Sequence, residues 1–175
     1  MRALGRANSK DGTYQVGEKV VYPGHGVGVI DDLQTRKVAG SEQRFYKISI
    51  LETGIKIMVP VGQVETVGLR RVVDKATVEK VYDILRERDV VVDTQTWNRR
   101  YREYTQKIKT GSVFEIAKVI RDLFVLKADK ELSFGERQML EKAQKRLVKE
   151  ISIVKASSEE LVRRELQELM QQNFT

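Results

Sequence analysis

The chain of 175 residues is long enough for one ordinary domain or two small ones, and 41% hydrophobic with 33% charged residues places it with folded rather than disordered proteins. Its 32 Lys and Arg against 25 Asp and Glu give a formal net charge of +7, which attracts polyanions without choosing among nucleic acid, acidic protein and anionic membrane. The absence of cysteine excludes a disulfide framework, a thiolate zinc site and a cysteine nucleophile, and fits a cytoplasmic setting.

Residues 1–14 read as a flexible basic extension. MRALGRANSKDGTYQ lacks the apolar core of a signal peptide, and no run in the chain approaches a membrane span. From Val16 to about Arg71 the chain reads as short strands. EKVVYP, GVGVIDDLQTRKV, RFYKISIL and IKIMVPV are rich in Val, Ile, Tyr and Phe, and PGHG, AGSE and ETG between them can reverse the chain. Such spacing predicts consecutive antiparallel hairpins forming a small, strongly bent β-barrel of the SH3 or Tudor type over residues 15–72, of modest stability.

After Val73 the apolar period changes from two to 3.6. Ser112-Val-Phe-Glu115, Ser133-Phe-Gly-Glu136 and Ser157-Ser-Glu-Glu160 have capping-box spacing, Asp93 and Thr94 can start another helix, and Asp74 or Thr77 an earlier one. Five helices are predicted, roughly 76–88, 94–109, 113–129, 134–155 and 158–172. Their apolar stripes run through Val78, Val81, Tyr82 and Leu85, then Ile116, Val119, Ile120 and Leu123, then Leu140, Leu147, Val148 and Ile151, and last Leu161, Leu166 and Leu169. The expected fold class is therefore α+β, with an all-α part of about five helices over residues 73–175. No glycine-serine linker separates the halves, which predicts a fixed relation between them.

Catalysis is not expected. His25 is the single histidine and lies in the turn PGHG, with no second histidine or cysteine to share a metal. Gly24-His25-Gly26-Val27-Gly28 leads into a strand, whereas a phosphate-cradling loop opens a helix, so its glycines suit tight turns better. Neither a metal nor a cofactor is predicted.

The richest stretch is Trp97-Asn98-Arg99-Arg100-Tyr101-Arg102-Glu103-Tyr104, holding the only tryptophan. Helical spacing puts Trp97, Tyr101, Tyr104 and Ile108 on one stripe, with Arg99, Arg102 and Lys109 toward solvent. Two readings stand open here. Trp97 is either a core residue at a helix start beside a solvated face, or an apolar wedge protruding beside phosphate-binding arginines. A second basic group, Lys127, Lys130, Arg137, Lys142, Lys145 and Arg146, is interleaved with Glu131, Glu136 and Glu141 and reads mainly as charged helix surface. In the β half, Arg36 and Lys37 on one strand are expected to face Lys56 and Met58 on another, at an edge able to accept a partner strand.

Taken together, these residues resemble the CarD family of bacterial RNA polymerase-binding regulators, also called the CdnL group. The segments that carry the resemblance are Val16-Gly-Glu-Lys-Val-Val-Tyr-Pro-Gly-His-Gly-Val-Gly-Val, Met58-Val-Pro with Val67-Gly-Leu-Arg70, Trp97-Asn-Arg-Arg-Tyr-Arg102, Ala117-Lys-Val-Ile-Arg-Asp-Leu123 and Leu132-Ser-Phe-Gly-Glu-Arg137. The N-terminal part is also similar to the polymerase-interacting module of transcription-repair coupling factors. The resemblance implies a Tudor-like domain docking on the lobe of the polymerase β subunit, and a helical domain lying on promoter DNA at the upstream edge of the melted region. The tryptophan matching Trp97 wedges into the minor groove, and the matching basic positions are Arg99, Arg102 and Arg137, with Arg100 of the same run taken beside them. On the docking domain Arg36 matches a family polymerase contact, with Lys56 nearby. Met58 stands where relatives carry arginine and is expected to pack against the lobe. The implied protein is a monomeric, non-enzymatic regulator in the cytoplasm, associated with the nucleoid through polymerase and with no membrane partner. Two other classes fit the composition: a free-standing architectural DNA-binding protein, and an RNA- or ribosome-associated factor with a KOW-like barrel.

Overall fold

A computed structural model describes residues 14–92 and 96–172. Alternating Val, Ile and Tyr build the first half: β1 (Lys19–Tyr22), β2 (Gly26–Val38), β3 (Ser41–Ile50), β4 (Lys56–Pro60) and the short β5 (Arg70–Arg71). They form one antiparallel sheet in the order β4-β3-β2-β1-β5. Val20, Ile30, Tyr46, Ile48, Ile50 and Val59 point to its buried face and make the first apolar core. The β2–β3 register slips between Ile30 and Asp32, a bulge that leaves Asp31 outside the ladder.

The antiparallel β-domain expected from the sequence is present, as an open sheet rather than a barrel closed into a ring. Strands β4 and β5 sit at opposite edges and do not pair. With two residues, β5 is too short to complete a ring. The chain reaches it through a 3-10 turn (Val61–Gln63) and a one-turn helix, α1 (Val64–Val67), from which Val64, with Leu69 beyond it, fills the core instead. One correction concerns Tyr14, read from the sequence as the end of a flexible extension. Its ring is buried, its hydroxyl donates to the Leu69 carbonyl at 3.0 Å, and its backbone N–H donates to the Tyr46 hydroxyl at 2.9 Å.

The second half is helical: α2 (Lys75–Arg86), α3 (Trp97–Lys109), α4 (Val113–Asp129), α5 (Phe134–Lys155) and α6 (Glu159–Gln171). Asp74 caps α2 by accepting from the Thr77 N–H at 2.8 Å, and Ser133 with Glu136 forms a full capping box on α5. At α6 the cap is Ser158, not the expected Ser157. Ser157 instead donates its N–H to the Ser152 carbonyl at 3.0 Å, closing α5 after the left-handed Ala156. The expected helix start at Asp93 and Thr94 lies outside the described residues. Ile116, Ala117, Val119, Ile120 and Leu123 of α4 are buried at the centre of the second core, against which α2, α3 and α5 pack. In α6 the inward stripe is Val162, Leu166 and Met170, while Leu161 faces solvent. No helix among the described residues is long and apolar enough to cross a membrane.

The two halves are joined by polar contacts to α5. Glu150, buried, accepts from Arg70 Nη2 and Nη1 at 2.7 and 3.0 Å and from the Val73 N–H at 3.1 Å. Arg70 also donates to the Gly111 carbonyl at 2.7 Å. Farther along α5, Arg146 reaches the β1–β2 turn and donates to the Gly24 carbonyl at 3.0 Å, with Glu52 at 3.6 Å. Gly26 permits that approach, because a Cβ there would stand 2.6 Å from Arg146 Nη1, and its φ of +94° suits glycine besides. His25, in the same turn, is exposed and packs its ring edge-on against Tyr22.

Candidate nucleic-acid and docking interfaces

Trp97 is the first residue of α3 and is half-buried, its ring lying at the margin of the helical core. Three neighbours hold it. The Arg100 guanidinium stands over the indole at 5.4 Å from its centroid, Tyr101 packs edge-on with centroids 5.7 Å apart, and Gly135 on α5, lacking a Cβ, leaves room for the ring. A Cβ at Gly135 would come within 3.0 Å of Trp97 Nε1, so only glycine seats the ring this closely. The ring is neither enclosed in the bundle nor free of it.

Arg100 departs from the expected phosphate contact. It is buried, with 7% of its surface exposed, and Nη1 lies 3.6 Å from Glu136 Oε2 in the interior. The inward stripe of α3 is therefore Arg100, Tyr104 and Ile108, spaced by four, while Tyr101 is 49% exposed. Burial pushes the Tyr104 hydroxyl up to about 12, and the charge of Asp122 acts in the same direction. Glu136 receives Lys130 Nζ at 3.1 Å as well as the capping-box bonds. Burial raises its carboxyl, but the hydrogen bonds from Lys130 and Ser133 outweigh that and hold it below the usual carboxylate range. One carboxylate thus fixes the start of α5 and, through Arg100, the face of the indole.

Arg99 and Arg102 are exposed on α3, and Arg99 lies 3.9 Å from Glu103. Arg137 is exposed on the first turn of α5 and donates to the Leu132 carbonyl at 3.0 Å. Arg99 and Arg102 thus lie on the first two turns of the helix that Trp97 begins, and Arg137 on the first turn of the helix that carries Gly135. A groove of about 470 Å³ continues from Tyr101 and Gly135 along α5 past Lys142 and Lys145. Sequence reasoning missed the Gly135 seat and an exposed neighbour, Phe134. The spacing Ser133-Phe-Gly-Glu136 marked a helix start, and carried no sign that the indole would rest there.

On the sheet, β3 lies between β2 and β4, so Arg36 does not face Lys56 and Met58 directly as expected. The register nevertheless puts all three on one face. Met58 pairs with Lys47 and Lys47 with Asp32, Lys56 pairs with Ser49, and Arg36 pairs with Gln43 farther along the β2–β3 hairpin, past the end of β4. This is the outer face, opposite the core. Arg36 is exposed and donates to Gln34 at 3.0 Å, Lys56 bonds to Asp31 at 3.1 Å and to Ser49, and Met58 is partly buried. Asp31 accepts from Ser49 and Lys56, which lowers its carboxyl below the usual range. β4 is an edge strand of the sheet. Among the described residues, no group of three His, Asp or Glu side chains is placed to hold a metal ion.

An open sheet with an exposed edge strand, fixed to a helical bundle whose rim carries a seated indole among arginines, defines a two-module binding protein. Residues 14–73 match the CarD-like/TRCF RID domain, and residues 80–167 match the C-terminal domain of CarD. A Bacillus subtilis (strain 168) protein, YdeB, described as a candidate transcription factor, is 30% identical over 152 residues, 86% of this chain and 97% of its own. Two solved N-terminal domains from Myxococcus xanthus are similar. CdnLNt is 43% identical, covering 36% of this chain and 89% of that one with a TM-score of 0.31. The 72-residue N-terminal domain of CarD is 37% identical, covering 33% and 76% with a TM-score of 0.29. The chain belongs to the CarD family of transcription regulators.

Proposed function

We propose that this protein docks on the β lobe of RNA polymerase through the outer face and β4 edge of its sheet, and stabilises the open promoter complex through Trp97. The observation that carries the reading is the seating of Trp97. It is held by Arg100 and Gly135, with Arg99 and Arg102 exposed on its own helix and Arg137 exposed on the helix of Gly135. A ring held before binding loses little conformational freedom on entering a base step, and flanking arginines supply phosphate contacts that carry no sequence information. Unstacking one step costs a few kcal/mol, so the wedge gains most where the duplex is already opening at the upstream edge of the bubble.

No chemical step is needed. A protein with higher affinity for the melted complex than for the closed one shifts the equilibrium by that difference, and ~1.4 kcal/mol is a factor of about ten in population. DNA affinity alone is weak and salt-dependent, and tethering to polymerase supplies local concentration. On the sheet, Arg36 supplies a charged contact, Met58 an apolar one, and the unpaired edge of β4 offers main-chain hydrogen bonds to a partner strand.

The test uses the full chain with RNA polymerase from the same cell. Trp97→Ala is expected to bind polymerase as the wild type does and to shorten the half-life of heparin-challenged open complexes about tenfold. Unchanged half-lives in that variant remove the wedge. Arg36→Glu is expected to weaken a pull-down of the isolated β lobe, and wild-type capture by it moves docking to another surface. Tight binding of promoter DNA at physiological salt without polymerase favours a free-standing architectural protein instead.

A further inference from the structure

Where α5 passes the sheet, it meets the first half of the chain differently at three successive places, each about one helical turn from the next. At Arg146 the halves are packed. Its guanidinium donates to the Gly24 carbonyl at 3.0 Å, and Pro23 of the same turn lies between Gly68 and Gly111, where an added Cβ would stand 3.2 and 3.3 Å from it. At Glu150 the carboxylate holds Arg70 and the Val73 N–H, which flank the connection between the halves. At Ile153 and Val154 the halves stand apart. These two residues, with Val72 and Val73 of the connection and Gly17 and Lys19 at the start of β1, line an open cleft of about 900 Å³.

We propose that this junction is a rocker, with Glu150 as its pivot and the Tyr22–Gly26 turn seated on Arg146 as the stop that holds the cleft open. Glu150 grips the connection itself, so it moves with the connection and does not oppose rotation about it. The turn is the part that opposes it, because Gly24 and Arg146 are 122 residues apart and belong to different halves. Closing the cleft swings the sheet about Glu150 and draws the turn off Arg146, so the two arrangements exclude each other. Closure has a driving force of its own, since Val72, Ile153 and Val154 are only partly buried and would lose contact with water. The use of the stop, to keep the docking sheet and Trp97 at a working span, rests on the function proposed above.

The chain has no cysteine, so Lys19→Cys on β1 and Glu79→Cys on α2, both exposed, take spin labels on the two halves without competing sites. Pulsed electron paramagnetic resonance on the full chain is expected to give one distance. Arg146→Ala and Pro23→Ala should each add a second, shorter one, and Arg146→Lys, which keeps a donor for the Gly24 carbonyl, should return the single distance. In Arg146→Ala and Pro23→Ala promoter opening by RNA polymerase is expected to fall about fivefold, while capture of the β lobe and affinity for promoter DNA, each measured alone, stay at the wild-type level. One unchanged distance in both variants overturns the inference, and so does a second distance accompanied by wild-type opening. A second distance with impaired opening, in a protein whose Trp97→Ala form has unchanged open-complex half-lives, supports the stop and removes the wedge.

Discussion

Gly135 carries no side chain, and that absence sets the position of Trp97. A methyl there would meet three indole atoms at 3.0 to 3.3 Å, so the ring must shift outward by a few tenths of an ångström or more. Within a helix, alanine is otherwise favoured over glycine by about 1 kcal/mol. Gly135→Ala is therefore expected to keep or raise the melting temperature while weakening open-complex stabilisation. Trp97 is the only tryptophan, so intrinsic fluorescence reads its environment directly, and a red shift in the variant is the expected signature. An unshifted spectrum with full activity removes Gly135 as the seat. At this scale the sequence was only partly legible. Spacing set Trp97, Arg99 and Arg102 at one helix end, but it put Tyr101 on the inward stripe where the structure has Arg100. Apolar periodicity cannot anticipate that an arginine turns inward to a carboxylate on another helix.

That carboxylate belongs to the start of α5 and acts at the scale of the element. Glu136 closes the capping box, receives Lys130 and lies beside Arg100. Its carboxyl is held below the ordinary 4.5, so the ionised form is favoured more in the folded than in the unfolded chain. The resulting stabilisation is fully present above about pH 4.5 and is lost as pH falls through the lower folded value. Urea midpoints measured from neutral to acidic pH are expected to decline more steeply just below about pH 4.5 in the wild type than in Glu136→Gln. Parallel curves remove Glu136 from the acid response. The starts of α4 and α5 were legible because a serine followed three residues later by glutamate satisfies the helix amides locally. The start of α6 slipped by one residue because two adjacent serines offered the same chemistry, and the close of α5 claimed the first.

Across the whole molecule, α5 joins the two halves. Glu136 near its start and Glu150 are separated by about 21 Å along the axis at 1.5 Å per residue. The first end supports the indole, and the second grips Arg70 and the Val73 N–H next to the sheet. In the proposed mechanism, a wedge at one end can use a dock at the other only if the distance between them is fixed. Glu150→Gln leaves Arg70 without its counter-charge and is expected to cost about 3 kcal/mol in unfolding free energy. It should also lower promoter opening more than it lowers either polymerase or DNA binding measured separately. Near-wild-type stability by denaturant unfolding would falsify this role of the Arg70–Glu150 pair.

The amino-acid sequence by itself determined the switch from strand to helix near Val73, most helix limits and the gathering of cations around Trp97. Each of these rests on spacing, capping or turn chemistry acting within a few residues. Tertiary structure alone decided that the sheet stays open, that Arg100 faces Glu136 rather than solvent, that the indole rests on Gly135, and that Arg70 meets Glu150. Those outcomes join residues far apart in the chain. A buried charge goes where a partner of opposite sign offsets its desolvation, and only the packed fold brings that partner within reach.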